Sequence, residues 1–461
     1  MKALGFELSR RVVLFSILFS ATALQLFPIP GLGMSGLTTK HVLVIWLVGY
    51  LCFNLIVYER GRMHASVELQ VFALLYASCI LALLLNGMIL PPGDGYIEGF
   101  VEFSYLLPVL FALYYLFDGH FRLQEKFIRS VALIMYASIV AFIAYFSARA
   151  HIDVIGAFKS FFSGGGTLQY QLFAATFSYV NEDAGSSARH TMMYLFFLLL
   201  VLIRVSRDLE CGTDRRSPFT GFEVLLMLTI VVVGMSRKVV LTLFVFLILY
   251  YLVTRRFSVT KEASRYVRSI AISVGVIVVL AAGIASLNSG ALDLFRYKYI
   301  EDVLNNDRIH QYMMSIDQVT SSLRLFVSGA GLGQRIAGDT HFPHNMLFYF
   351  FHQVGIIGLL TAVALYGFTI SLLVKALVMA FRCKFRNASY IALASAACLL
   401  VPITRMSVGD RGAIAMEGAL GLALGLVLLD QAVRAARQRP ILIGRLAGGE
   451  HLRKWQIGNT A

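Results

Sequence analysis

The sequence predicts an all-α polytopic membrane protein with about twelve membrane-spanning helices and one large, partly helical loop on its outer side. Three observations carry that prediction. Of the 461 residues, 58% are hydrophobic and the mean hydropathy is +0.74, so lipid rather than water must solvate much of the apolar surface. Apolar runs recur along the whole chain, each near the length of about 20 residues that crosses a ~30 Å hydrocarbon layer as a helix. Lys and Arg concentrate in alternate connections between those runs, the charge asymmetry that orients membrane proteins.

The first run, 12–28, follows Lys2, Arg10 and Arg11 and ends near Ser20-Ala21-Thr22-Ala23, mimicking a signal peptide. It reads as a retained first helix, because cleavage is not needed to explain any other feature. Runs at 42–58, 69–90, 100–117, 128–147, 191–205, 220–235, 239–254 and 268–287 follow, then 345–374, 389–404 and 413–430. The 345–374 run is too long for one straight crossing and predicts a bent or two-part element. An even number of crossings places both termini on one side. That side gathers most of the 40 Lys and Arg, including Arg60/Arg62, Arg122/Lys126/Arg129, Arg204/Arg207, Arg255/Arg256 and Arg382/Lys384/Arg386. It is therefore expected to be cytoplasmic, together with the tail 431–461.

On this reading, residues 1–461 form a single integral membrane domain whose long loops, 148–190 and 288–345, face the periplasm. The net charge of +14 is then a topology signal and an attraction to membrane lipids, with no nucleic acid implied. Cys52, Cys79, Cys211, Cys383 and Cys398 fall in spans or on the cytoplasmic side, so neither a disulfide framework nor a zinc site is expected.

The outer side is poor in cations, and those it has recur at helix ends. "GMSRKVV" puts Arg237 and Lys238 in a very short hairpin, where a charge near hydrocarbon must snorkel or face a polar cavity. "GSSARHT" puts Arg189 and His190 at the start of the sixth helix, and "TRMSVGDRG" adds Arg405 and Arg411. Arg308 lies in "NNDRIHQYMM", which reads as an amphipathic helix on the membrane surface. Guanidinium forks grip phosphate oxygens, so several converging arginines make a diphosphate site; the alternative is that each merely snorkels to the headgroups.

"SGAGLGQR" supplies Gly329, Gly331 and Gly333, either to expose backbone N–H groups to an anion or to turn the chain tightly. No strand precedes it and no Lys-Ser/Thr follows, which excludes a P-loop. His344, followed by Asn345 where the long apolar run begins, can take a proton from a hydroxyl nucleophile; the alternative is an interfacial histidine satisfied by water or by Asn345. His341 and His344 lack a third ligand for a metal. His352 reads as a packed histidine. Glu417, an acid inside the last span, is expected to be functional or ion-paired.

The order "MSRKVVLTL", "NNDRIHQYM", "GAGLG", "HNMLFYFFHQVGIIGLL" resembles the signature of the O-antigen ligase and O-antigen polymerase family. The correspondence is specific over residues 230–360 and loose elsewhere, through topology. The resemblance implies a GT-C-like periplasmic glycosyltransferase of the bacterial inner membrane. Its donor would be a glycan on undecaprenyl diphosphate, with no metal and no cofactor. It makes His344 the catalytic base and gives Arg237, Arg308, Arg189, Arg411 and Lys238 to the donor diphosphate. Asn345, Gly331 and Gly333 would shape the site.

Polymerisation of repeat units is the leading expectation, with a second lipid-linked glycan as acceptor and a chain-length regulator as a conceivable partner. Ligation to a lipid A core is the alternative. A flippase for lipid-linked oligosaccharide is the reading from a different class, but its polar residues should gather at the bilayer midplane in two repeated halves.

Overall fold

The computed structural model describes residues 9–25, 38–58, 65–90, 100–101, 103–149, 151, 153, 184–210, 219–233, 236–257, 307–336, 343, 345–408 and 415–457. The first half of the bundle comprises α1 (Arg10–Ala23), α2 (Thr39–Phe53), α3 (Val67–Ile89), α4 (Leu106–His120), α5 (Glu125–Arg149) and α6 (Ala184–Glu210). The second half has α7 (Gly221–Leu228) and α8 (Arg237–Arg256), then the short α9 (Asp307–Thr320) and α10 (Leu323–Ser328). It closes with α11 (Met346–Arg382), α12 (Arg386–Val408) and α13 (Ala415–Ile457). Local signals set several starts: Ser9 and Ser66 accept from the amides of Val12 and Leu69 at 3.2 Å each, and Glu223 bonds back to Thr220 in a capping box.

Among the described residues, seven helical stretches are long and apolar enough to cross a membrane, including Val67–Ile89, Met346–Arg382 and Arg386–Ser407. Leu106–His120 and Gly221–Val231 are apolar but shorter, and the expected span 268–287 lies outside the described residues. The chain is an all-α polytopic membrane protein. The helix of the last span, α13, runs on through the expected tail to Ile457.

The bundle has a closely buried centre and an apolar exterior. Every side chain of α6 from Thr191 to Ser206 is buried, and α6 packs against α1, α5, α7, α8, α12 and α13, as expected of a helix apolar on all faces. α2 and α3 instead turn apolar side chains outward, with Ile45 70% and Leu74 71% exposed; such surfaces belong in lipid. Small residues bring α12 and α13 together. A methyl on Gly421 would stand 2.9 Å from the Cys398 carbonyl oxygen, and Ser395 Oγ donates to the Gly425 carbonyl at 2.6 Å.

At the end expected to be cytoplasmic, Lys375 pairs with Glu68, and Arg386 donates to the Asp208 carbonyl at 2.6 Å. Arg204 and Arg207, read from the sequence as loop charges, belong instead to α6, and Arg204 is 0% exposed. Its Nη2 lies 3.0 Å from Asp208 Oδ1, its Nε donates to Tyr250 Oη at 2.8 Å, and Tyr250 donates to Asp208 Oδ2 at 2.6 Å. Glu223 stands 3.7 Å from Arg204 and 3.3 Å from Arg207. The two cations and two carboxylates balance, which is what permits burial.

The long tenth span is broken, as its length predicts. Gly355 leaves the helical region at φ 71°, ψ −151°, a conformation that favours glycine. The break deprives the His352 and Gln353 carbonyls of their usual helical donors. The segment after α10 takes those places: the Ala330 amide donates to the His352 carbonyl at 2.7 Å and the Gly331 amide to that of Gln353 at 3.1 Å. A methyl on Gly355 would meet the Val327 carbonyl oxygen at 2.6 Å, so backbone rests directly on backbone.

Two buried amide side chains lock this insertion. Gln353 Oε1 accepts from the Gly333 amide at 2.6 Å while its Nε2 donates to the Gln334 carbonyl at 2.7 Å. Asn86 of α3 donates to the Ser328 carbonyl and accepts from the Leu332 amide at 3.1 Å. Asn86→Leu is expected to cost about 2 kcal/mol, since two buried backbone groups lose their partner. Thermal unfolding in detergent would register it, and an unchanged midpoint would mean the loop is held elsewhere.

Candidate functional site

A run of polar contacts lies at the end of the bundle expected to face outward. It begins at Ser236, the N-cap residue of α8, whose hydroxyl makes no cap bond and pairs instead with His190 Nδ1 of α6 at 2.7 Å. Thr191, the next residue, accepts from Gln25 Nε2 at 3.2 Å, and the same Nε2 stands 3.4 Å from Glu417 Oε2 of α13. Glu417 Oε1 lies 3.0 Å from Arg405 Nε of α12, with the two side chains 0% and 5% exposed. Segments following α1 and preceding α8 are thus tied to α6, α12 and α13 at one level.

The His190–Ser236 bond brings two predicted arginine positions to one place. Arg189 and Arg237 each adjoin one member of that pair and are half-buried, as is Lys238. Arg189 and His190, predicted at the boundary of a loop, lie inside α6, which begins at Ala184. Arg237 and Lys238 open α8, whose first turn carries no acid. Two cations at the positive end of a helix dipole oppose the usual preference, and an anion there would relieve both terms at once.

The predicted base region is framed on both sides. His344, His341 and Arg411 lie outside the described residues, as does the side chain of Arg308, whose backbone forms the first turn of α9. One turn on from Arg308, Tyr312 stacks on Phe348 of α11 with ring centroids 4.3 Å apart and planes 8° apart. That contact brings the turn bearing Arg308 to the start of α11. Beside His344, Pro343 is buried, and Asn345 is committed at both ends of its amide. Its Oδ1 accepts from the Leu347 amide at 2.8 Å, and its Nδ2 donates to the Ser407 carbonyl of α12 at 2.8 Å. Asn345 is therefore a cap and a strut.

Two further readings are narrowed by geometry. The amides of Ala330, Gly331, Leu332 and Gly333 all donate within the protein, so this glycine segment is a docked turn and not an anion cradle. Its glycines are needed because Gly329, Gly331 and Gly333 have φ of 72°, 107° and 82°. Arg405 is neutralised by Glu417 and leaves the set of arginines available to a diphosphate. His352 is fully buried in α11, in keeping with a packed role.

Sequence reasoning gave no role to Gln25, Thr191 or Asn86. A lone amide or hydroxyl in an apolar run carries no periodic signal; only the fold reveals its partner. Among the described residues, no group of three His, Cys, Asp or Glu side chains stands close enough to hold a metal. No protein-family model matches the chain and no curated protein matches it, so its family likeness rests on the motifs quoted above.

Proposed function

We propose that the outer end of the bundle is the active site of a periplasmic glycosyltransferase of the GT-C type. It extends an O-antigen or related surface polysaccharide from undecaprenyl-diphosphate donors, within a twelve-span topology. The observation that carries this reading is the α8 N-terminus, where Arg237 and Lys238 open a helix without first-turn acid, fixed to His190 of α6 through Ser236. That is an arrangement suited to a multiply charged anion such as a diphosphate.

In the proposed reaction, Arg237 and Arg308, aided by Arg189 and Arg411, stabilise the charge that develops on the leaving diphosphate. The anomeric C–O bond to the diphosphate breaks and its electron pair leaves with the phosphate oxygen. The acceptor hydroxyl oxygen forms the new bond, and its proton passes to His344. Direct displacement inverts the anomeric carbon. The arginines supply the positive charge that a metal would otherwise provide.

Arg237→Lys tests the assignment, because an ammonium lacks the planar fork. Loss of one charge-assisted bond of about 1.5–3 kcal/mol predicts roughly a 10–100-fold drop in product from the lipid-linked donor. Wild-type output would remove Arg237 from the diphosphate site. Products from a deletion strain separate the two acceptors: single-repeat caps follow loss of a polymerase, and unattached polymer on undecaprenyl diphosphate follows loss of a ligase.

The broken helix α11 is a feature that favours a transporter, since broken helices line many transport sites. Its freed carbonyls, however, already accept from Ala330 and Gly331, which leaves the break filled by protein. Glycan transfer by purified protein in detergent, with no second compartment, would decide between the two.

A further inference from the structure

At the opposite end of the bundle, a groove of 410 Å³ opens between the start of α1 and the connection from α4 to α5. That volume falls within the range of about 300–1,000 Å³ typical of ligand clefts. Its walls carry Arg10, Arg11, Arg122 and Lys126, all exposed, over a buried floor of Val12, Phe127 and Ser130. Among the described residues no carboxylate lines it. The carboxylates near the α5 N-terminus are engaged: Glu125 pairs with Arg129 at 2.6 Å, and Glu210 accepts the Glu125 amide at 2.9 Å.

The floor is rigid. Phe15 of α1 meets Phe117, Phe121 and Phe127 with ring centroids 5.5–5.7 Å apart, so the three segments that carry the cations are joined through one aromatic cluster. Helical spacing continues each basic edge as an apolar stripe. Below Arg10 on α1 come Val13 and Ile17, 40% and 56% exposed; below Lys126 on α5 come Leu133 and Val140, 43% and 53% exposed. A cationic rim over exposed apolar stripes matches a phosphate headgroup over its acyl chains, whereas a free phosphate has no use for the stripes.

We infer that this groove binds the headgroup of an anionic phospholipid from the leaflet on the cytoplasmic side. The site is independent of the glycosyl-transfer reading and would survive its failure. The test uses the full-length protein in detergent, titrated with phosphatidylglycerol or phosphatidylethanolamine and read by native mass spectrometry. Arg10→Gln/Arg11→Gln is compared with Arg434→Gln/Arg437→Gln, which removes two exposed arginines from α13 at the same end of the bundle.

The first variant should lose phosphatidylglycerol affinity roughly 30-fold, while the second keeps it and neither changes phosphatidylethanolamine binding. Equal losses in both would reduce the effect to general attraction, and no loss in the first would abolish the site. Displacement of the lipid by inorganic phosphate at equal concentration would replace the lipid with a soluble anion. Should the first variant fold poorly, photoactivatable phosphatidylglycerol on the wild-type protein tests the same site directly. Label on the peptides bearing Val12 or Phe127 supports the site, and label only elsewhere overturns it.

Discussion

Glu417→Ala is expected to destabilise the protein by about 3–5 kcal/mol, the usual cost of breaking one side of a buried ion pair. Arg405, with its side chain 5% exposed, would keep its charge and lose the carboxylate that balances it. Gln25 would lose a second contact, loosening the tie from the end of α1 to α13. The double variant Arg405→Leu/Glu417→Leu should recover most of the loss, because an apolar pair removes the desolvation cost together with the attraction. Thermal unfolding in detergent separates these cases. A single variant as stable as wild type, or a double variant no better than the single, would contradict the account.

Replacement of His344 by alanine should lower turnover about 10²–10⁴-fold, the range lost when a positioned general base is removed. The donor KM should hold, since diphosphate recognition is assigned to the arginines. Arg237→Lys should differ by raising the donor KM as well as lowering turnover, since Arg237 is assigned to grip the bound diphosphate and the charge that develops on it. Near-normal turnover in His344→Ala, or an equal rise in KM for both variants, would separate His344 from proton transfer.

The sequence conveyed the spans and their ends because hydropathy and charge are additive properties of short windows. The break in α11 was legible as excess length, and its position was left to Gly355. Partner choice was not legible. Arg204 reads as a loop cation from its place beside Arg207 and Asp208, yet its environment is set by Glu223 and Tyr250. Arg405 and Arg237 look alike as arginines in the sequence, and only the fold sets Arg405 against Glu417. The glycine motif was visible as a motif, but whether its amides face a ligand or the protein depends on Gln353 and Asn86.

The loop lock also constrains the order in which the protein is made. Asn86 and Leu332 are 246 positions apart, so at about 5–20 residues per second roughly 12–50 s of synthesis separates the two. Throughout that interval α3 stands inserted with a polar amide awaiting its loop. The outer loop cannot seat until α11 has also emerged to offer its open carbonyls. The three-way closure therefore comes late in biogenesis, and a ribosome stalled before α11 should leave a nascent chain that is inserted yet unclosed, exposed to membrane proteases at a stage the finished protein never revisits.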